Sequence, residues 1–178
     1  LRPDITPSIA RCVAKYYADE ELPVRLCYTG NTYTNTLKLQ GKLKEVTQIG
    51  AELINDDSSA ADAEIIATVI DCFNRIGIKD FQIEIGQIDY FKGLVAESGI
   101  SEAEEEQIKE YIHIKNFFGL EEYVNELDIS DSLKKAFVAF DSLFGGISML
   151  DKAEGYVTNA TSLEAVKRLR RVYAALKC

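Results

Sequence analysis

The chain has 178 residues, of which 47% are hydrophobic, and its formal net charge is −9. This hydrophobic content is enough to bury a sizeable core, so the composition argues against disorder and suits one domain or a domain with a subdomain. The negative charge disfavours passive binding to nucleic-acid phosphates, and no stretch approaches the roughly 20 apolar residues that a membrane span needs. We therefore expect a cytoplasmic protein without a membrane or nucleic-acid partner.

The first predicted helix begins at Thr6-Pro7, because threonine is a good N-cap and proline fits the first turn of a helix. The chain before it starts at Leu1 without a methionine or a signal-like segment, so we expect a trimmed chain or a fragment. Apolar residues at helical spacing predict a buried stripe made of Ile9, Ala10, Val13, Ala14 and Tyr17.

Three β-strands are predicted by the alternation of apolar and polar residues. The first covers about 24–28 and is followed by a long polar loop over 29–42. The second covers about 43–54 and the third about 81–85. A helix over about 59–75 separates the last two strands.

The remainder of the chain, from about 88 to 177, has almost only helical periodicity. Two helix starts in it have the pattern of a capping box, in which the first residue caps the helix and the fourth reaches back to it. They are Ser101-x-x-Glu104 and Thr161-x-x-Glu164. Strands are therefore expected only before residue 87.

This division predicts an α+β protein with three parts. They are a sheet-containing domain over 1–87, a helical insertion subdomain over 88–160, and a helix over 161–178 that returns to the first domain. The insertion would have a small core of its own. Its aromatic members would be Phe117, Phe118, Phe137, Phe140 and Phe144.

The cysteines and the single histidine indicate neither a metal site nor a redox pair. Cys12, Cys27, Cys72 and Cys178 are far apart in sequence, and no CxxC spacing occurs. We expect three small core residues and one terminal thiol in a reducing cytoplasm. His113 lies in an acidic predicted helix, and one histidine cannot form a metal site without carboxylate help, so a surface position is expected.

The second strand has an unusual polar face. Gln48, Gly50 and Glu52 alternate with apolar residues, so the three share one side of the strand. Gln48 and Glu52 would lie about 13 Å apart, and a small ligand could lie flat over Gly50 between them. An unpaired buried glutamate is costly, which favours a cationic or hydrogen-bond-donating ligand. A solvent-facing strand surface with an incidental glycine is the alternative.

Several stretches of the chain resemble the catalytic core of class II histidyl-tRNA synthetases. They read LRPDIT at 1–6, RLCYTGNTY at 25–33 and GKLKEVTQIGAELI at 41–54, and the second resembles the start of motif 2. The chain resembles more closely the synthetase paralogues that serve as regulatory subunits of ATP phosphoribosyltransferase, also in FQIEIGQIDYFKGL at 81–94 and KNFFGLEEYV at 115–124. The resemblance implies a class II synthetase-like antiparallel sheet flanked by helices, with a helical insertion.

The resemblance also implies a histidine-binding role for four residues. In the synthetases, an acidic residue, a threonine and a strand glutamine hold the amino group of histidine, and the matching residues are Asp4, Thr6 and Gln48. The next glutamate of that strand contacts the imidazole in the synthetases, and Glu52 matches it. Gly50 would be the pocket floor.

Motif 2 departs from the synthetase pattern. A working motif 2 contains F-R-x-E, in which the arginine holds the α-phosphate of ATP and the glutamate reads adenine. Here the pattern is Tyr33-Thr34-Asn35-Thr36, so threonine replaces both charged residues. A neutral hydroxyl cannot supply the charge-assisted bond of an arginine. Asp4 is also one methylene shorter than the synthetase glutamate, which changes the pocket geometry.

The resemblance thus implies a non-catalytic regulatory subunit, without cofactor or metal, that assembles with the short catalytic ATP phosphoribosyltransferase and takes part in histidine feedback. Synthetase motif 1 would precede Leu1 and motif 3 would follow Cys178, so self-association is expected through regions outside this chain. A fragment of a true histidyl-tRNA synthetase is the first alternative, and Thr34 and Thr36 disfavour it. The second is a free-standing amino-acid-binding domain with another partner.

Overall fold

A computed structural model describes residues 1–35 and 43–177. The chain forms two compact units, Leu1–Lys79 and Asp80–Cys178. In the first unit the elements are α1 (Thr6–Tyr16), β1 (Val24–Tyr33), β2 (Glu45–Ile54) and α2 (Ser59–Arg75). In the second they are α3 (Ile88–Ser98), α4 (Glu102–His113), α5 (Phe117–Glu126), α6 (Asp131–Val138), a 3₁₀ turn (Ala139–Ser142), α7 (Met149–Glu154) and α8 (Ala160–Ala175).

The two strands form an antiparallel ribbon whose pairing runs from Val24 opposite Ile54 to Tyr33 opposite Glu45. β1 is therefore longer than predicted, and the expectation of a loop over all of 29–42 was wrong for 29–33. This stretch is polar, but it is rich in threonine and tyrosine, which favour strands, and its residues pair with β2. The residues at 36–42 lie outside the described part of the chain.

The third predicted strand, at about 81–85, is not a strand among the described residues. Its alternation partly survives, since Phe81 and Ile83 are half-buried while Gln82 and Glu84 are exposed. The sheet of the described residues nevertheless has only two strands. Alternation reports which side chains share a face, whereas a strand also needs a neighbour for its backbone hydrogen bonds, and periodicity does not supply that neighbour.

The predicted capping box at the start of α4 is confirmed. The Ser101 hydroxyl accepts a hydrogen bond from the Glu104 N–H, and the Glu104 carboxylate accepts one from the Ser101 N–H. The pKa of Glu104 is lowered because the Ser101 side chain and backbone both donate to its carboxylate. The pair thus satisfies two helix-end groups at once.

The second predicted capping box, at Thr161 and Glu164, was wrong. α8 begins earlier, and its N-cap is Asn159, whose side-chain oxygen accepts a hydrogen bond of 2.7 Å from the Ser162 N–H. Asparagine and threonine are both good caps, so the pattern alone did not distinguish them.

The apolar stripe of α1 is not buried among the described residues. Ile9 and Val13 are half-buried, whereas Ala10, Ala14 and Tyr17 are exposed, contrary to the prediction. Helical periodicity identifies the apolar face of a helix but not the element that covers it. No described element of the first unit covers the remainder of this face.

The second unit has one hydrophobic core. Its largest fully buried side chains are Leu94, Ile108, Leu120, Val124, Phe137 and Val166. The prediction of five core phenylalanines was correct for Phe137, while Phe117 and Phe140 are only half-buried at the core margin. It was wrong for Phe118 and Phe144, which are 72% and 57% exposed.

α8 packs within the second unit, against α3. The buried Ser162 hydroxyl donates to the Tyr90 carbonyl at 2.8 Å, and Ala165 and Val166 belong to the same core as Leu94. The Tyr90 hydroxyl donates to the Ala153 carbonyl, and burial raises the pKa of Tyr90 to about 12. The observed division of the chain at Lys79 thus differs from the predicted parts 1–87, 88–160 and 161–178, because α8 shares the core of the helical insertion.

The cysteines are less buried than predicted. Cys12 is half-buried, Cys27 and Cys72 are exposed, and all three are free thiols. The expectation of three core cysteines was therefore wrong, and Cys178 lies outside the described residues. His113 is exposed in the last turn of α4, which confirms its predicted surface position. None of the described helices is both long and apolar enough to cross a bilayer.

Gly93 allows the close approach of α3 to α8. A Cβ atom at this position would lie 2.3 Å from Ser162 Oγ and 2.8 Å from the Ser162 backbone nitrogen. Both distances are far below van der Waals contact, and a backbone atom cannot move without moving α8. A side chain at position 93 would therefore force α3 and α8 apart.

We expect Gly93→Ala to lower the free energy of unfolding by about 1–2 kcal/mol. An overpacking cost of up to about 3 kcal/mol exceeds the gain of about 1 kcal/mol that alanine has over glycine inside a helix. Urea unfolding followed by circular dichroism measures the change. Gly146→Ala is the matched control, because no neighbouring atom lies within 4 Å of a Cβ there. Equal midpoints for Gly93→Ala and the wild type would contradict the close approach.

Candidate functional site

The predicted polar face exists, and it is the more covered face of β2. Gln48 and Glu52 are half-buried, as is Gly50 between them, whereas the adjacent Ile49 is 82% exposed on the opposite face. The shared face predicted for the three residues is thus confirmed by the observed strand. The apolar and polar faces are inverted relative to an ordinary half-buried strand, in which the hydrophobic face packs inwards.

The space above Gly50 is filled by a tyrosine ring. Tyr28 is the cross-strand partner of Gly50, and a Cβ on Gly50 would lie 2.2 Å from Cζ of this ring. The Tyr28 hydroxyl accepts a hydrogen bond of 3.2 Å from the Gln48 side-chain amide. An open glycine floor was therefore the wrong picture, because a large aromatic side chain leans over its glycine partner, as is common in sheets. The aromatic ring itself forms the middle of the face.

Glu52 is paired across the site rather than left alone. Its carboxylate accepts a hydrogen bond of 2.7 Å from the Thr6 hydroxyl, and the two residues are 46 positions apart in sequence. Thr6 is the first residue of α1, and the N-cap is Ile5, so the prediction that Thr6 caps the helix was wrong. Its hydroxyl is free to point at the sheet because another side chain serves the helix start.

That side chain is Asp4. Its carboxylate accepts hydrogen bonds from the backbone N–H groups of Ile5, at 2.6 Å, and Thr6, at 3.3 Å. These donors have no partner within the helix, and an acidic group beside them is stabilising. Asp4 is therefore placed beside Thr6, and its Oδ1 is engaged with the backbone.

The segment before α1 lies along β1. The Tyr33 N–H donates to the Arg2 carbonyl at 2.9 Å, and the Arg2 Nε donates to the Asn31 carbonyl at 2.9 Å. A Cβ on Gly30 would lie 2.7 Å from Nη2 of Arg2 and 3.3 Å from the Ile5 side chain. The guanidinium thus occupies the space that the glycine leaves open.

The far end of the ribbon leads into the substituted stretch of motif 2, which starts at Tyr33. Thr34 is exposed, and its N–H donates to the Lys44 carbonyl at 2.9 Å. Next to it, the Glu45 carboxylate accepts hydrogen bonds from Asn31 and from the Tyr33 hydroxyl. The pKa of Tyr33 is raised because its hydroxyl donates to Glu45, whose negative charge also opposes ionisation. Thr36, the other substituted position of motif 2, lies outside the described residues.

Within residues 1–35 and 43–177, no group of three or more His, Cys, Asp and Glu side chains could hold a metal ion. The arrangement offers instead two carboxylates, a threonine hydroxyl, a glutamine amide and a tyrosine ring. Such groups bind amines, imidazoles and other small hydrogen-bond donors.

Gln48 and Glu52 share one face of β2, Thr6 contacts that face through Glu52, and Asp4 is connected to it through the backbone of Thr6. Thr6 and Glu52 are in direct contact, Asp4 is adjacent to Thr6, and Gln48 reaches Tyr28. Sequence reasoning missed Tyr28 because the register that places it over Gly50 was unknown. It also left Arg2 without a role, although Arg2 stands in the LRPDIT stretch.

The family model described as histidyl-tRNA synthetase matches residues 1–178, which is the whole chain. The chain belongs to the histidyl-tRNA synthetase family.

Within this family, the chain is similar to proteins named ATP phosphoribosyltransferase regulatory subunit. It is 43% identical over 172 residues to the one from Acetivibrio thermocellus, covering 97% of this chain and 41% of that protein. It is 37% identical over 179 residues to the one from Clostridium acetobutylicum, covering 99% of this chain and 44% of that protein. The chain therefore spans less than half the length of these relatives.

A solved structure has the same fold. It is the crystal structure of an ATP phosphoribosyltransferase regulatory subunit/histidyl-tRNA synthetase from Bacillus halodurans, with a TM-score of 0.89 and 32% sequence identity. The match covers 99% of this chain and 46% of that one. The predicted fold class, an α+β class II synthetase-like core with a helical insertion, is confirmed.

We expect Gly50→Ala to displace the Tyr28 ring and lower the free energy of unfolding by about 1 kcal/mol. The added methyl group has no room beside the ring, and overpacking costs about 1–3 kcal/mol, reduced here because a side chain can swing aside. Urea unfolding of a double-mutant cycle with Tyr28→Ala is the measurement. Without the ring, the same glycine substitution should cost much less. An equal cost in both backgrounds would show that the ring is not what restricts position 50.

Proposed function

We propose that this protein acts as a non-catalytic regulatory subunit of ATP phosphoribosyltransferase in histidine biosynthesis. In this proposal it binds the short catalytic form of that enzyme in the cytoplasm, activates it and takes part in its inhibition by histidine. One observation carries the proposal: the chain keeps the amino-acid side of a synthetase site but has threonine at the arginine position of motif 2. The names of its relatives support the same reading.

Loss of the motif 2 charges removes the means of making an aminoacyl-adenylate. The synthetase reaction needs a cation on the α-phosphate of ATP, and the sequence has the neutral Thr34 at that arginine position, while Thr36 replaces the glutamate that reads adenine. Removing one preorganised electrostatic group of this kind typically costs about 3–4 kcal/mol of transition-state stabilisation. A core of this type can still bind an amino acid, because that side of the site uses different residues.

Histidine is the ligand that the retained side chains suit. Glu52 offers a charged acceptor for an imidazole N–H, and the hydrogen bond from Thr6 holds that carboxylate in place. Gln48 and Asp4 lie on the same face and provide acceptors for an ammonium group. The Tyr28 ring lies between the two ends and offers an aromatic surface to a flat ring.

A sensor without chemistry needs an enzyme on which to act. Histidine can regulate such an enzyme only if its binding free energy differs between the active and the inactive state of the complex. The relatives' names imply a catalytic ATP phosphoribosyltransferase subunit as the partner, and we propose its short form. Self-association of the subunit would use regions outside this chain.

The test is to mix the full-length protein, as its host encodes it, with the purified short catalytic subunit of the same host. We expect the two to co-elute in size-exclusion chromatography and the phosphoribosyltransferase rate to rise. Added histidine should then lower the rate of the complex more than that of the catalytic subunit alone. Absence of both co-elution and rate change would refute the proposal.

The same preparation distinguishes the proposed function from the two alternatives, a synthetase and a free-standing amino-acid-binding domain. A synthetase would catalyse histidine-dependent exchange of pyrophosphate into ATP, with turnover of about 1 s⁻¹ or more. We expect exchange at background level, because Thr34 cannot replace the arginine. Histidine binding without any effect on the phosphoribosyltransferase would favour a free-standing amino-acid-binding domain.

We expect Glu52→Gln to weaken histidine binding by about ten- to a hundredfold in the full-length protein. A hydrogen bond to a charged group contributes about 1.5–3 kcal/mol, and the amide keeps the shape of the side chain while removing its charge. Isothermal titration calorimetry measures the change. The matched control is Glu45→Gln, the same substitution on the same strand, where the carboxylate contacts Asn31 and Tyr33 instead. Equal losses for the two variants would contradict the role of Glu52.

A further inference from the structure

We infer that Arg2 is the carboxylate-binding residue of the amino-acid site. Its guanidinium would take the α-carboxylate of a bound amino acid whose side chain points to Glu52. The inference rests on the proposed histidine site. It assigns an anion-binding group to the end of the face at which Gln48 lies.

Arg2 lies on the correct face of the sheet. Gly30 is the cross-strand partner of Gln48, and the Arg2 guanidinium fills the space above Gly30. Any side chain at position 30 would collide with it, since a Cβ there would lie 2.7 Å from Nη2. The cation therefore lies beside Gln48, the residue that corresponds to a contact of the ligand's amino group in the synthetases.

The guanidinium is held in place, but only part of its hydrogen-bonding capacity is used within the protein. Its Nε donates to the Asn31 carbonyl, and the Arg2 backbone carbonyl accepts from the Tyr33 N–H. Within the described part of the chain, neither of its two terminal nitrogens has a hydrogen-bond acceptor, and no carboxylate forms an ion pair with it. The planar fork of an arginine is suited to bind a carboxylate through two parallel bonds.

The spacing along the sheet fits a histidine molecule. Gly30 is opposite Gln48, and Glu52 is four residues further along β2, which is about 13 Å at roughly 3.3 Å per residue. An extended histidine is shorter than this backbone span, so side chains that extend from the two positions can reach its two ends with charge-assisted hydrogen bonds of about 2.8 Å.

The charges of the face are arranged to match a zwitterion. Arg2 supplies the positive end, and the acceptors Asp4 and Gln48 lie next to the position of the ammonium group. Glu52 supplies the negative charge at the imidazole end. An amine without a carboxylate would satisfy only the acceptors and would leave the arginine unpaired, so the site should prefer the amino acid.

The experiment compares two ligands and three proteins. Calorimetry on the full-length protein measures the affinity for L-histidine and for histamine, which has the same ring and ammonium group but no carboxylate. We expect the wild type to prefer histidine by about ten- to a hundredfold, and Arg2→Met to lose that preference while its affinity for histamine stays the same. Arg25→Met is the control, because Arg25 is an arginine of β1 whose guanidinium pairs with Glu64 and not with a residue of the proposed site.

Each outcome is decisive. If Arg2→Met weakens both ligands equally, Arg2 only supports the structure and the inference is wrong. If the wild type binds histidine and histamine with equal affinity, no carboxylate position exists, and this holds even if Arg2→Met fails to fold. Binding of neither ligand by the wild type would refute the histidine site of the proposed function as well. Retained preference in Arg2→Met, with histidine bound, would leave the site intact and reject Arg2 alone.

Discussion

The register between β1 and β2 is the constraint on which the candidate site depends. It sets Tyr28 opposite Gly50 and Gly30 opposite Gln48, so the ring and the guanidinium of Arg2 each lie over a glycine. A slip of one residue would move these side chains to the other face and separate the groups. Two glycines, each beside a large side chain from elsewhere, therefore give the face its shape.

The two units of the chain use glycine for different purposes. In the sheet, a glycine leaves space on a surface that polar and aromatic side chains then cover. In the helical unit, Gly93 lets α3 approach the first turn of α8, where the buried Ser162 hydroxyl reaches the Tyr90 carbonyl. The first arrangement leaves hydrogen-bonding groups available to a ligand, whereas the second satisfies them within the protein.

The candidate site also suggests how a synthetase fold can change its role. In the proposed site, the residues assigned to the amino acid and the substituted motif 2 positions lie on separate parts of the sheet, at Glu52 and Thr6 on one side and at Thr34 on the other. Substitution of the charged motif 2 residues therefore leaves the Thr6–Glu52 contact in place. A fold built this way can lose its chemistry and keep a binding surface for regulation, as we propose for this protein.

The sequence by itself determined the classes of structure and the departure from the synthetase motif 2 pattern. These are local properties, because each depends on residues close together in the chain. They include the helical periodicity after residue 88, the shared strand face of Gln48 and Glu52, and the neutral side chain of Thr34. Tertiary structure alone decided which faces were covered and which side chains met. Tyr28 over Gly50 and Thr6 at Glu52 depend on pairings across long sequence separations, which periodicity does not encode.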